Sequence, residues 1–162
     1  MEHKLAAKTL NFLLNILWFI VIASFVTSVG FGIATLSLTI SLKGIVGVLF
    51  FVIAHLIILK IIWELRKIIK TVLKKEPFTD QNITGFKNIG IFAIFMAFLT
   101  LLRDIFNIFV DYPKINLLAY LGEGYQSRMG IFMFLILGCM AFVLSEIFSV
   151  AKSIKEENDL TV

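Results

Sequence analysis

The chain has 162 residues, 59% of them hydrophobic and only 16% charged, and its mean hydropathy is +0.97. These values exclude an ordinary soluble domain, in which apolar residues make up about 45–50% and charged ones about a quarter. A net charge of +4 would suit a nucleic-acid partner on a soluble chain, but most basic residues here flank apolar stretches, so the charge reads as membrane topology.

Four apolar stretches, residues 10–30, 45–63, 88–110 and 129–151, are each long enough to cross a hydrocarbon core of about 30 Å as a helix. The expected fold is an all-α membrane protein, one four-helix transmembrane domain over residues 1–162 packed as a compact bundle. Lys4 and Lys8 precede the first stretch much as the basic region of a signal peptide would. The run from Lys8 to Lys43 carries no charge, and its small residues at 23–32 make a poor cleavage context, so a retained span is expected. After it, TLSLTISL at residues 35–42 alternates hydroxyl and aliphatic side chains with period two. That is a strand signal, and it predicts a short extended segment in the outer loop, paired with part of 114–121, with an irregular loop at the headgroups as the alternative.

The second stretch continues as an amphipathic helix beyond Trp63. Leu65, Ile68, Ile69, Val72 and Leu73 share one face, while Arg66, Lys67, Lys70, Lys74 and Lys75 take the rest. A helix over 44–75 would measure about 48 Å, so part of it projects from the core or bends along its surface. Pro77 and Pro113 fall where the second and third helices should end. The fourth helix has a matching extension in which Ile147, Val150, Ala151 and Ile154 repeat at helical spacing before Glu156, Glu157 and Asp159. The two extensions are expected to pack through their apolar faces, more by apolar contact than by charge.

Lys4, Lys8, Lys60, Arg66, Lys67, Lys70, Lys74, Lys75, Lys87, Lys152 and Lys155 lie toward one membrane face, against Lys43, Arg103, Lys114 and Arg128 toward the other. The positive-inside rule then places both termini of this multi-pass chain in the cytoplasm. Attraction to anionic lipid explains the run from Arg66 to Lys75, and no recognition motif accompanies it that would point to direct nucleic-acid binding. The triplet Asn82-Ile83-Thr84 matches a glycosylation pattern, but a cytoplasmic position makes it a chance match.

Few residues suggest chemistry. Arg103 and Asp104 lie inside the third span, where ionisable groups mark function by default; the alternative is an Arg103 that snorkels outward while Asp104 pairs with it. His55, near the middle of the second span, either titrates near Asp104 or serves structure through a bond to a carbonyl or to Asn15. Gly90, Ala93 and Ala97 form a small-residue stripe that runs on to Asp104 and turns it toward the bundle. Gly130, Gly138, Ala141 and Ser145 form a matching stripe on the fourth helix. Such stripes let membrane helices approach closely, which makes these two helices neighbours or serves a homodimer. Cys139 is the only cysteine and is expected to be a buried filler. No catalytic residue, cofactor motif or metal-ligand spacing emerges, since His3 and His55 are too few and too far apart.

Two segments, EPFTDQNITGFKNIG at 76–90 and LSEIFSVAKSIKEENDLTV at 144–162, resemble DUF2975, a family of small bacterial membrane proteins of unknown function. In the first, Pro77-Phe78-Thr79 ends one helix and Thr79 or Asp80 caps the next. With the four spans, the resemblance covers roughly residues 10–162. It implies a four-helix protein of the bacterial cytoplasmic membrane, often encoded beside a small helix-turn-helix regulator, and it implies no reaction.

Three functions compete. The leading one is a regulatory, non-enzymatic membrane protein that docks a small cytosolic partner, such as a DNA-binding regulator, through Leu65, Ile69, Val72, Phe78, Ile147, Val150, Ile154 and Leu160. The second is a small transporter or immunity-type protein that uses His55, Arg103 and Asp104. A membrane enzyme comes third, because a catalytic site needs convergent groups and the sequence supplies little beyond those three residues.

Overall fold

A computed structural model describes residues 2–38, 42–111 and 125–160. Four helices account for nearly all of them: α1 (Glu2–Leu38), α2 (Leu42–Leu73), α3 (Asp80–Asp111) and α4 (Tyr125–Leu160). Each contains a segment long and apolar enough to cross a membrane, at Lys8–Ala34, Gly44–Leu73, Asp80–Val110 and Met129–Leu160. Inside a bilayer every backbone N–H and C=O must be satisfied within the chain, and a helix does this segment by segment. The apolar runs therefore form helices despite their many β-branched residues.

The helices run on into the segment that carries the strand signal. Residues 35–38 are the last turn of α1, and Leu42 already belongs to α2, so both ends of the alternating pattern are helical rather than extended. Residues 39–41 and the proposed partner stretch at 114–121 lie outside the described residues. The helices also run past the apolar stretches, α3 by eight residues at its start. At about 1.5 Å per residue, the 36 residues of α4 measure about 54 Å, far more than the hydrocarbon core requires.

Among the described residues, α1 packs on α2, α2 on α3 and α3 on α4, and no other pair of helices meets. The compact bundle expected from composition is thus an open row of antiparallel neighbours. Its core lies along α2 and α3, where Ile57, Ile61, Ile68, Ile89, Met96 and Leu99 are buried with Ala141 of α4. The α2–α3 turn shares one end of the row with the start of α1 and the end of α4; since most Lys and Arg lie there, we call it the basic end.

The anticipated seam between the extensions of α2 and α4 does not form, because the first half of α3 lies between them. Ile68 of α2 packs against Gly85 of α3. Ile69 is buried and Leu65 half-buried on the core. Ile147, Val150 and Ile154 of α4 remain exposed.

The α3–α4 seam follows the small-residue stripes. A Cβ placed on Gly90 would stand 3.1 Å from the Gly138 carbonyl oxygen, and one on Gly138 would stand 2.8 Å from Ile94 and 3.2 Å from the Gly90 oxygen. Ala93, Ala97 and Ala141 are buried beside this approach. The stripe on α4 stops short of Gly130, where a Cβ would meet nothing. Cys139 is exposed, since Gly138 and Ala141 take the face toward α3 and turn their neighbour outward.

Candidate functional site

Two places gather polar groups: a buried knot at the basic end and a cavity between α2 and α3 deeper in the row.

The knot begins where α2 stops. Lys75 adopts a left-handed φ of 66°, its N–H donates to the Val72 carbonyl (3.0 Å), and the Glu76 N–H reaches back to Thr71 (3.1 Å). This pair of bonds is a Schellman cap, which closes a helix by satisfying its last carbonyls. Pro77 follows and prevents resumption. Thr79 then caps α3: its hydroxyl accepts from the Asn82 N–H at 3.3 Å. Of the two capping residues considered from sequence, Thr79 is the one used.

Asn82, in the first turn of α3, is completely buried. Its Nδ2 donates to the Pro77 carbonyl at 2.6 Å, and its Oδ1 accepts from the Thr71 hydroxyl at 2.8 Å. One side chain therefore binds the end of α2, the turn and the start of α3. Two turns of α2 before Thr71, Glu64 is buried as well; Lys67 pairs with it at 2.6 Å and Asn88 of α3 donates to it at 3.5 Å.

Helix α4 is tied to the same place. Lys152 contacts both carboxylate oxygens of Asp80 (2.8 and 2.7 Å) and also Glu156 (3.4 Å). The Ser145 hydroxyl donates to the Ile83 carbonyl at 2.9 Å. Phe148 packs between Phe78 and Phe86 in tilted contacts, with ring centroids at 5.5 and 5.0 Å.

The deeper cavity holds about 250 Å³ and is lined by Phe51, Ala54 and His55 of α2 and by Met96, Thr100 and Arg103 of α3, among others. His55 Nδ1 lies 3.0 Å from the Phe51 carbonyl. A carbonyl only accepts, so Nδ1 carries the proton, and in the neutral ring Nε2 is left to accept from the Ser24 hydroxyl of α1 at 3.5 Å. The rings of Phe25 and Phe51 flank the imidazole. Asn15 is not its partner, and Asn15 Oδ1 is buried without a hydrogen bond.

Arg103 pairs with Asp104 at 3.1 Å, the arginine side chain 46% exposed and the aspartate 16%. Asp104 is the inward member of the pair. The cavity thus brings His55 and Arg103 together, and Asp104 stands behind Arg103 as its ion-pair partner. Among the described residues, no group of three or more His, Cys, Asp or Glu side chains is placed to hold a metal ion.

Of the apolar residues proposed for docking, Val72 and Phe78 are 40% and 38% exposed, and Ile154 and Leu160 rise to 53% and 87%. Thr71 and Glu64 did not stand out in the sequence, and Asn82 did so only in a chance glycosylation triplet. The signal that bears on its actual role was its place three residues after a capping threonine, inside the segment that carries the family resemblance.

Four helices, each long and apolar enough to cross a membrane, define an all-α integral membrane protein. The chain belongs to DUF2975, a family described as proteins of unknown function, whose model matches residues 33–162. The match leaves out most of α1, so it is narrower than the resemblance read from the sequence. No curated protein and no solved structure shows significant similarity to the chain.

Proposed function

We propose that this is a regulatory protein of the bacterial cytoplasmic membrane, with both termini in the cytoplasm, that docks a small cytosolic partner at its basic end. One observation carries the reading. The last turns of α4 extend beyond the length a bilayer needs, are held to α3 through Lys152 and Asp80, and present Ile154 and Leu160 to solvent beside Glu156 and Glu157. Exposed aliphatic side chains on a braced arm suit recognition of another protein. A small DNA-binding regulator of the helix-turn-helix type is the partner class we favour, on the family resemblance.

The test is affinity capture from native membranes with the intact chain and with Ile154→Ser/Leu160→Ser. The reading expects a helix-turn-helix protein, identified by mass spectrometry, that is captured by the first and lost by the second. No such protein with the intact chain, or undiminished capture by the variant, sinks it. Cysteine labelling of Leu160→Cys in a Cys139→Ala background tests the orientation, since reaction with an impermeant probe in intact cells would place the arm outside.

The cavity lined by His55, Thr100 and Arg103 favours a second reading, a small transporter or immunity-type protein. Purified protein in liposomes loaded with a pH-sensitive dye should then show a proton flux that His55→Ala removes. An unchanged flux would count against it.

A further inference from the structure

We propose that the groove between α1 and α2 is a seat for one anionic phospholipid of the bilayer. The groove holds about 480 Å³ and is lined by Trp18 of α1 and by Leu56, Leu59, Lys60 and Trp63 of α2. Its volume falls within the roughly 300–1,000 Å³ of small-molecule sites. Leu56 and Trp63 are both more than half exposed, so its mouth faces the surroundings of the helix row rather than another helix.

The charges decide the occupant. Lys60 is the only Lys, Arg, Asp or Glu in residues 44–63, and among the described residues it has no hydrogen bond or ion pair. An unpaired ammonium in a spanning segment is costly, about 2.5–3.5 kcal/mol at the centre of a helix and less toward its end. An anion supplied by the bilayer removes that cost. Two turns further toward the basic end, the Arg66 guanidinium lies 5.4 Å from the centroid of the Trp18 ring. Stacking uses the flat face of the guanidinium and leaves its N–H edge to donate. Lys67, by contrast, is already paired with Glu64.

The order along the groove matches one kind of amphiphile. Leu56 and Leu59 provide apolar wall for an acyl chain, Lys60 stands beside Leu59 with a stem long enough to carry its ammonium toward the basic end, and Trp63 with the Arg66–Trp18 pair follows on the headgroup side, where aromatic residues favour the membrane interface. A phosphodiester with net negative charge satisfies both cations. A zwitterionic headgroup would bring its own ammonium toward them. The seat does not depend on the docking reading above, since α1 and α2 form it without α4.

The chain contains two tryptophans, and both line this groove, so intrinsic fluorescence reports on it alone. Full-length protein is reconstituted in phosphatidylcholine vesicles containing equal mole fractions of phosphatidylglycerol or phosphatidylcholine brominated on the acyl chain. The seat predicts that brominated phosphatidylglycerol quenches as though enriched roughly fivefold or more over brominated phosphatidylcholine. Lys60→Gln/Arg66→Gln should bring the ratio close to one, while Lys70→Gln/Lys74→Gln, with the same loss of charge outside the groove, should leave it high. Quenching by brominated phosphatidylcholine checks that each variant is inserted. Equal quenching by the two lipids in the unmodified protein overturns the proposal, as does an equal loss of preference in both variant pairs, which would mark general attraction to the basic surface.

Discussion

Replacing Asn82 tests whether the buried knot holds the basic end together. Asn82→Ala removes the donor to the Pro77 carbonyl and the acceptor of the Thr71 hydroxyl. Thr71 keeps a second acceptor, the Ile68 carbonyl at 2.7 Å, whereas the turn carbonyl loses its partner in a place where Asn82 was fully buried. One stranded buried group costs about 1–3 kcal/mol, and the emptied volume adds to it, so a loss of about 3 kcal/mol is expected. At about 2–4 °C per kcal/mol for a chain of this size, the melting temperature in mild detergent should fall by roughly 6–12 °C. Asn82→Asp separates hydrogen bonding from shape. It sets a carboxylate oxygen against the Pro77 carbonyl at 2.6 Å, and burial beside an acceptor raises the folded-state pKa of the new acid above its unfolded value. The variant is therefore penalised most at high pH and recovers as pH falls through that raised pKa, when the protonated acid can donate to Pro77. The Asn82→Ala deficit has no such source of pH dependence. Melting of either variant within about 1 °C of the parent, or an Asn82→Asp deficit that is the same at pH 8 and pH 5, would refute the reasoning.

Other seams give further tests. Gly138→Leu forces a side chain into a gap where even a Cβ would stand 2.8 Å from Ile94, so stability should fall by at least the roughly 1–3 kcal/mol typical of overpacking, read as a lowered melting temperature in mild detergent, whereas Gly130→Leu, where a Cβ meets nothing, should melt close to the parent. Lys75→Gly relieves a left-handed backbone at a cap position where glycine is favoured, and should raise the melting temperature by an amount corresponding to about 1 kcal/mol. Lys67→Met leaves the buried Glu64 carboxylate without its cation, though Lys67 itself is about a third exposed, and should destabilise by about 1–3 kcal/mol. Adding Glu64→Gln should restore much of that loss, and a double-mutant cycle without such coupling would show that the pair contributes little.

The parts of this fold that could be read in the sequence rest on strong, local physics. Uncharged runs, basic flanks, Pro77 and the Gly90 and Gly138 stripes each have a direct geometric meaning, and helices α1 to α4 with the α3–α4 approach follow from them. The row could not be read, because a helix face toward lipid and a face toward another helix are built from the same apolar residues. For the same reason the extension of α2 looked like an open surface: Ile68 and Ile69 are as suited to a partner as to α3. The strand signal at 35–42 misled at its two ends, where α1 runs on through Leu38 and α2 starts at Leu42, because the alternation is short and helices already formed on either side extend into it. Asn82 was hidden for a different reason. Its importance comes from three backbone turns converging on it, and nothing in its own identity encodes that.

A row one helix thick has two broad faces and no interior ring of side chains. Lipid can wet both faces, so the three contacts between neighbouring helices are where polarity can be sheltered, and the first carries Ser24 against His55, the second Thr71 against Asn82 and Glu64 against Asn88, the third Ser145 against Ile83. Such a wall encloses no central bore among its described residues. Any water-filled route across the membrane would have to be bounded by at least two copies standing face to face or edge to edge, and a concentration-dependent flux would be its mark.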